Sequence, residues 1–319
     1  MSRIFPRKTT AIRRIDKYRW LRSDGTPNFD DRIYRKTEDM EILAKRPVET
    51  ISSSTPIIEA LEKMSKGYRS LVVVRAGYYL EGLVVATDFV NYLGGGDYFS
   101  IVVNRHGKNI FSATRNERVA TLMNKTPIVA YIDEKFPKVL EKMVIHGIGI
   151  IPVVTKEGQV YGIITERDIL EYLSAGTTIG LKVSEVMSSP VITIDANSTL
   201  KHAMETMIKY GFRRIPVVKN NIVEGIVTAM DIVKFFGTHE AFKRTVTGNI
   251  EEILKTPIDE VMVKNVVTID PDSDVGEAAQ KMAEKNIGSL LVVNKKNELI
   301  GIITERDVLY AIAVPKPSS

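Results

Sequence analysis

Gly162-Ile-Ile-Thr165-Glu-Arg-Asp168 decides how this 319-residue chain is read, because the chain writes the phrase again. Gly225-Ile-Val-Thr228-Ala-Met-Asp231 and Gly301-Ile-Ile-Thr304-Glu-Arg-Asp307 follow it, and a looser copy, Gly82-Leu-Val-Val85-Ala-Thr-Asp88, precedes it. Each phrase ends a β-branched run and opens an apolar pattern of helical spacing. Thr and Asp therefore stand three apart where a strand turns into a helix. A hydroxyl, a carboxylate and unpaired helix-start amides can converge there on a polar ligand. The plainer role for each Asp is a local helix cap. Recurrence of the Thr at fixed spacing in three copies favours ligand binding.

Working outward from the phrase recovers a whole unit each time, in the order strand, helix, strand, strand, helix. In copy three, Pro190-Val-Ile-Thr-Ile194 reads as a strand and Asp195-Ala-Asn-Ser198 as a helix start. Leu200, Ala203, Met204, Met207 and Ile208 follow at helical spacing, then Arg213 to Val218, a turn at Lys219-Asn-Asn221, and the strand carrying the phrase. Val48 to Ile51, Ile128 to Ile132 and Val266 to Ile269 are the other first strands. Copies two and four share the fuller Thr-Glu-Arg-Asp, whereas copies one and three share a Gly six residues after the Asp, Gly94 and Gly237. The plan is a duplicated pair. A unit of this size buries too little surface to stand securely alone, and pairing supplies the missing core face.

Cysteine is absent, which excludes disulfides, thiolate chemistry and Cys-based zinc sites. None of the four histidines is spaced as a paired metal ligand, and no P-loop or nucleophile–base pair is visible. No metal site and no catalytic residues are expected. No apolar run is long enough to span a bilayer, so no membrane association and a cytoplasmic location are expected. The net charge of +5 is uneven, since residues 1–36 hold eleven Lys/Arg against four acids.

At these residues the chain resembles the cystathionine-β-synthase (CBS) domain family, over roughly residues 40–314. It looks like a stand-alone protein of four CBS motifs, similar in layout to the γ subunit of AMP-activated protein kinase. The resemblance implies an α/β fold of four CBS motifs in two Bateman modules that meet as a disc. The implied bounds are motif 40–95, linker 96–119, motifs 120–178 and 179–238, linker 239–258 and motif 259–314, after a basic arm at 1–39. It also implies AMP, ADP or ATP as regulatory ligand. On that basis Thr165 with Asp168, Thr228 with Asp231 and Thr304 with Asp307 would hold ribose hydroxyls. Asp88 lacks its hydroxyl partner because Val85 stands there. Arg213, Arg214 and Arg69 would meet phosphates. Copies two and four have Gly149-Ile150 and Ser289-Leu290 in that place, so Arg167 and Arg306 would serve unless they pair with neighbouring glutamates. Val48, Ile128, Val191 and Val266 would wall the base pocket.

These readings lead to an energy-sensing regulatory protein, not an enzyme, that acts on a protein partner or on itself by self-association. The alternative is a nucleic-acid-binding protein using its basic arm, where Arg13-Arg14-Ile-Asp-Lys17-Tyr18-Arg19-Trp20 interleaves cations with aromatics. That arm could equally dock on the body.

Overall fold

In the computed structural model, which describes residues 21, 22, 24–174 and 179–313, each phrase ends in a three-stranded sheet, and four such sheets recur. In copy three the strands are Ile194–Asp195, Arg214–Lys219 and Ile222–Thr228, the first parallel to the second and the second antiparallel to the third. The parallel step needs a crossover, and the helix Leu200–Tyr210 supplies it. The antiparallel step needs only a tight turn. Asn220 and Asn221, at φ 50° and 64°, provide the two left-handed residues of such a turn. The other sheets repeat the order with Thr50–Ile51, Ser70–Arg75 and Tyr79–Val85, with Ala130–Tyr131, Ile150–Val154 and Val160–Thr165, and with Thr268–Ile269, Ser289–Val293 and Leu299–Thr304.

The crossover helices follow from capping and periodicity. Thr199 accepts a hydrogen bond from the His202 amide, Leu200, Ala203, Met204 and Met207 bury one stripe, and left-handed Gly211 ends the helix. Gly67, Gly147 and Asn286 occupy the equivalent left-handed position in the other copies.

The first strands are two residues long, shorter than the sequence pattern suggested, because the segment before each leaves its own sheet. It crosses the phrase strand of a partner copy instead. Lys45 exchanges amide–carbonyl bonds of 2.8 and 3.1 Å with Ile163, as do Asn124 with Leu83, Ser188 with Ile302 and Val263 with Ile226 at similar lengths. This crossing explains the phrase glycine. A Cβ on Gly162 would lie 2.7 Å from that of Ala44, and one on Gly225 would lie 2.6 Å from the Met262 sulfur. Copies one and two interlock in this way, and so do three and four.

The two modules meet through helices. Ala229–Gly237 of copy three packs on Ile57–Ser65 of copy one, and Glu166–Ser174 of copy two packs on Glu305–Ala313 of copy four. Leu61, Met64, Phe89, Met204, Val233 and Phe236 thereby share one core. Leu309 and Ala313 complete the core of copy two, and Leu170 that of copy four.

Gly237 lies against the Leu61 carbonyl with no room for a Cβ. Its sequence counterpart Gly94, at φ +149°, lies within a π-helical turn, Asn91–Gly95. The extra residue of that turn hands the packing role to Gly95, whose Cβ would lie 2.8 Å from the Met204 carbonyl. Gly237→Ala is therefore expected to cost about 1–3 kcal/mol by overpacking the contact between modules. An unchanged denaturant midpoint would show that the contact relaxes freely.

The described part of the basic arm is not a separate tail. Phe29, Ile33 and Met40 are buried in the core of copy two, and the Asp30 amide donates to the Ala313 carbonyl at 2.7 Å. Arg13 to Trp20 lie outside the described residues. Among the described residues no helix is long and apolar enough to cross a membrane.

Candidate functional site

The Thr and Asp of each phrase first satisfy the backbone. Thr228 closes its strand and caps the next helix, accepting from the Asp231 amide, while Asp231 Oδ2 accepts from the Thr228 amide at 2.8 Å and hydroxyl at 2.7 Å. Thr165 with Asp168 and Thr304 with Asp307 repeat this at 2.7 Å for both bonds. In copy one the Val85 amide reaches Asp88 at 2.8 Å, and Val85 brings no hydroxyl. Thr–Asp capping uses one carboxylate oxygen, Oδ2, in copies two, three and four.

The environments of the carboxylates differ. At Asp231, burial pushes the carboxyl above its usual 3.8, against the Thr228 bonds and the charges of Lys234 and Arg214. At Asp168, Oδ1 lies 2.6 Å from Lys45 Nζ. Asp307 is buried.

The raised value at Asp231 carries a stability consequence. Its folded-state contribution is favourable below 3.8 and is lost as pH rises through the raised value, so at neutral pH the charge opposes folding. Asp231→Asn should therefore stabilise the ligand-free protein at neutral pH. The gain should be about 0.5 kcal/mol, since loss of a helix-start charge offsets part of it. A lower unfolding midpoint in the variant would contradict this.

The five arginines singled out by sequence come together at the junction of the modules. Arg167 reaches across to Glu305, and Arg306 reaches back to Glu166. Arg69 also meets Glu305 at 3.2 Å, and Arg213 meets Glu166 at 3.6 Å. Arg214 lies beside Gly288 and feels Glu305, Arg213 and Arg69. Five guanidinium groups share the two glutamates, with Asp307 acting on Arg306 and Asp231 under the charge of Arg214, so cations outnumber carboxylates among these groups. Burial and the charge of Arg213 press the Arg214 guanidinium down to about 10. Partial loss of solvent also lowers that of Arg213, whose side chain remains 39% exposed, with Arg306 and Arg69 adding to the repulsion. A cation opposed in this way gains from an anion.

Exposure divides the five. The side chains of Arg69 and Arg213 are 41% and 39% exposed, whereas Arg167 and Arg306 are 17% and 16% exposed and held in the cross-module pairs. Arg167 also donates to the Asn286 side chain. The open groups also pair across the junction, Arg69 with Glu305 and Arg213 with Glu166, from more exposed side chains than those of Arg167 and Arg306.

Strand pairing sets the equivalences that the sequence left offset. Ser70, Ile150, Arg214 and Ser289 each face the last residue of their phrase strand. Gly288, not Ser289, is therefore the copy-four counterpart of Arg213. Odd copies place Arg69 and Arg213 where even copies have Gly149 and Gly288, and even copies place Glu166 and Glu305 where odd copies have Ala86 and Ala229. A Cβ on Gly288 would meet Arg214 and Glu305 at 3.0 Å, so glycine there makes room for the neighbouring charges.

Val48, Ile128, Val191 and Val266 lie ahead of the two-residue strands, not on them, because the chain has not yet joined its sheet. The copy-two counterpart of the three valines is Pro127, one residue before Ile128. Val191 and Val266 pack with Val218, Ile226 and Ile302 in the seam between copies three and four.

Sequence reasoning missed Lys45, and it offered Arg167 and Arg306 the glutamate beside each, whereas the pairs are exchanged between the modules. A lysine in the crossing segment was one available signal, and the restriction of Thr-Glu-Arg-Asp to even copies was the other.

The CBS domain family model matches residues 39–95, 119–175, 183–237 and 258–314. The protein MJ1225 of Methanocaldococcus jannaschii is 32% identical over 276 residues, covering 86% of this chain and 98% of that protein. A 33.4 kDa protein from the ribosomal RNA operon of Thermofilum pendens is 31% identical, covering 82% and 87%. The crystal structure of MJ1225, proposed as an archaeal homologue of γ-AMPK, superposes with a TM-score of 0.81 at 31% identity over 85% of this chain and 99% of that one. Fourfold repetition, the interlocked sheets and these matches agree, and the chain belongs to the CBS domain family.

Proposed function

We propose that this protein is a non-catalytic regulator that binds adenine nucleotides and passes its ligand state to a partner. The observation that carries the reading is the placement of Thr–Asp pairs beside an arginine cluster with too few carboxylates. Arg214 acts on the carboxylate of Asp231, and Asp307 acts on Arg306. A vicinal diol suits a carboxylate acceptor beside a hydroxyl, and a phosphate suits guanidinium donors. A ribonucleotide carries both groups, with a base on the other side of the sugar that an apolar wall would suit. The likeness to MJ1225, described as a γ-AMPK homologue, favours adenine nucleotides within that class.

Regulation follows from where the phosphates would lie. The cluster joins both modules, so an anion there changes the balance of charge across their junction and favours one arrangement by its differential affinity for the two. Titration of AMP, ADP, ATP and S-adenosylmethionine by calorimetry and thermal unfolding tests the reading. A ligand at a hundred times its dissociation constant adds about 2.7 kcal/mol of stability. Arg213→Ala with Arg214→Ala should weaken ATP more than adenosine. Equal losses for both would remove the phosphate role, and no response to any of the four ligands would remove the function.

A further inference from the structure

The four clefts differ in a residue that backbone geometry fixes. Reciprocal hydrogen bonds pin Lys45, Asn124, Ser188 and Val263 at one equivalent position, each across a phrase strand of the partner copy. Lys45 is held opposite Ile163, two residues before Thr165, and its amine reaches Oδ1 of Asp168 at 2.6 Å and Glu171 at 3.2 Å. Thr165 already occupies Oδ2. The carboxylate of this cleft is thus engaged on both oxygens by the protein itself. The matching residue beside Asp231 is Val263, which brings no charge.

We propose that Lys45 is an intramolecular competitor for the sugar hydroxyls at Asp168, so that the copy-two cleft binds ribonucleotide more weakly than its own Thr–Asp pair allows. The proposal rests on the nucleotide reading above. A diol must displace the amine before it can bond to Oδ1. The bond to Asp168 raises the Lys45 amine above its usual 10.5, outweighing burial, so the competitor is fully charged at neutral pH. Its side chain is 58% exposed and that of Asp168 only 7%. The amine can therefore swing into water while the carboxylate stays in place. The cleft is weakened by this contact and is not closed. Ala44, where the other crossing segments carry Met123, Met187 and Met262, belongs to the same departure from the repeat.

Calorimetric titration of AMP into the wild type, Lys45→Met, Lys45→Arg and Lys45→Met with Asp168→Ala tests this. Lys45→Met should tighten one class of site about three- to fivefold, the range of a partly exposed ion pair. Lys45→Arg should behave as wild type, and adding Asp168→Ala should erase the gain. AMP binding that is unchanged or weakened in Lys45→Met overturns the proposal and leaves the nucleotide reading standing. A gain that survives Asp168→Ala overturns it too, since the effect would then lie elsewhere. No AMP binding in the wild type or any variant overturns the nucleotide reading itself.

Discussion

Glu166→Ala is expected to lower stability at neutral pH by about 3–5 kcal/mol, the cost of leaving the largely buried Arg306 without its partner. Glu166 is 8% exposed and meets Arg306 and Arg213, which come from copies four and three. Without it the two arginines face Arg69, Arg167 and Arg214 with Glu305, and Asp307 beside Arg306, to offset them. The loss should depend on pH in a definite direction. Burial raises the Glu166 carboxyl, but the charges of Arg306 and Arg213 outweigh it and hold the group below its usual 4.5. Its contribution is therefore complete above 4.5 and is lost as pH falls through the lowered value. Denaturant midpoints of wild type and variant should differ most near neutrality and converge in acid. A constant gap across that range would mean that lost packing, and not lost charge, causes the defect. The same variant should bind ATP more tightly, because the central positive excess grows.

Asp231→Ala is expected to abolish AMP binding at its cleft, while Asp231→Asn weakens it and stabilises the empty protein. The two variants separate the roles of this residue. Alanine removes the acceptor for the sugar and also the bonds from the Thr228 amide and hydroxyl. Asparagine keeps an acceptor oxygen but not the charge. A diol bonded to a carboxylate makes charge-assisted bonds, each worth roughly 1.5–3 kcal/mol. Losing two of them predicts at least a hundredfold weaker AMP at this cleft. A drop in helix stability alone would lower the unfolding midpoint and leave the affinity of folded protein near that of wild type. Unchanged AMP titration in Asp231→Ala would remove Asp231 from the site.

The repeat carried most of the fold because each copy states its own local rules. Helix-end residues, hairpin turns and the alternation of apolar positions are short-range features, and Gly211 or the pair Asn220-Asn221 can be read without knowing what lies nearby. The site was legible at the level of residue type. The Thr–Asp pairs and the arginines were all visible, but their neighbours were not. Lys45 reaches Asp168 across 123 positions of sequence, and Arg167 reaches Glu305 across 138. No local pattern encodes such contacts. The phrase glycine is a further case, since its reason is the strand laid over it by another copy. Gly94 shows the converse, where an inserted π turn shifts a packing role by one residue and sequence alignment points to the wrong glycine.

These contacts assign opposite roles to similar residues. Arg167 and Arg306 hold the cross-module glutamates from buried positions, whereas Arg69 and Arg213 meet the same glutamates at 3.2 and 3.6 Å from side chains 41% and 39% exposed. The clefts are likewise unequal, because Asp168 has a lysine on its second oxygen and Asp231 is raised by burial. Repetition built the frame, and divergence at a few positions gave each copy its own charge environment.

The most direct test is the structure of the protein with AMP bound. The account predicts the ribose hydroxyls on Asp231 beside Thr228, with the phosphate directed to Arg213 and Arg214 at the junction of the modules. AMP seated away from every Thr–Asp pair, or its phosphate directed outward to solvent, would contradict it.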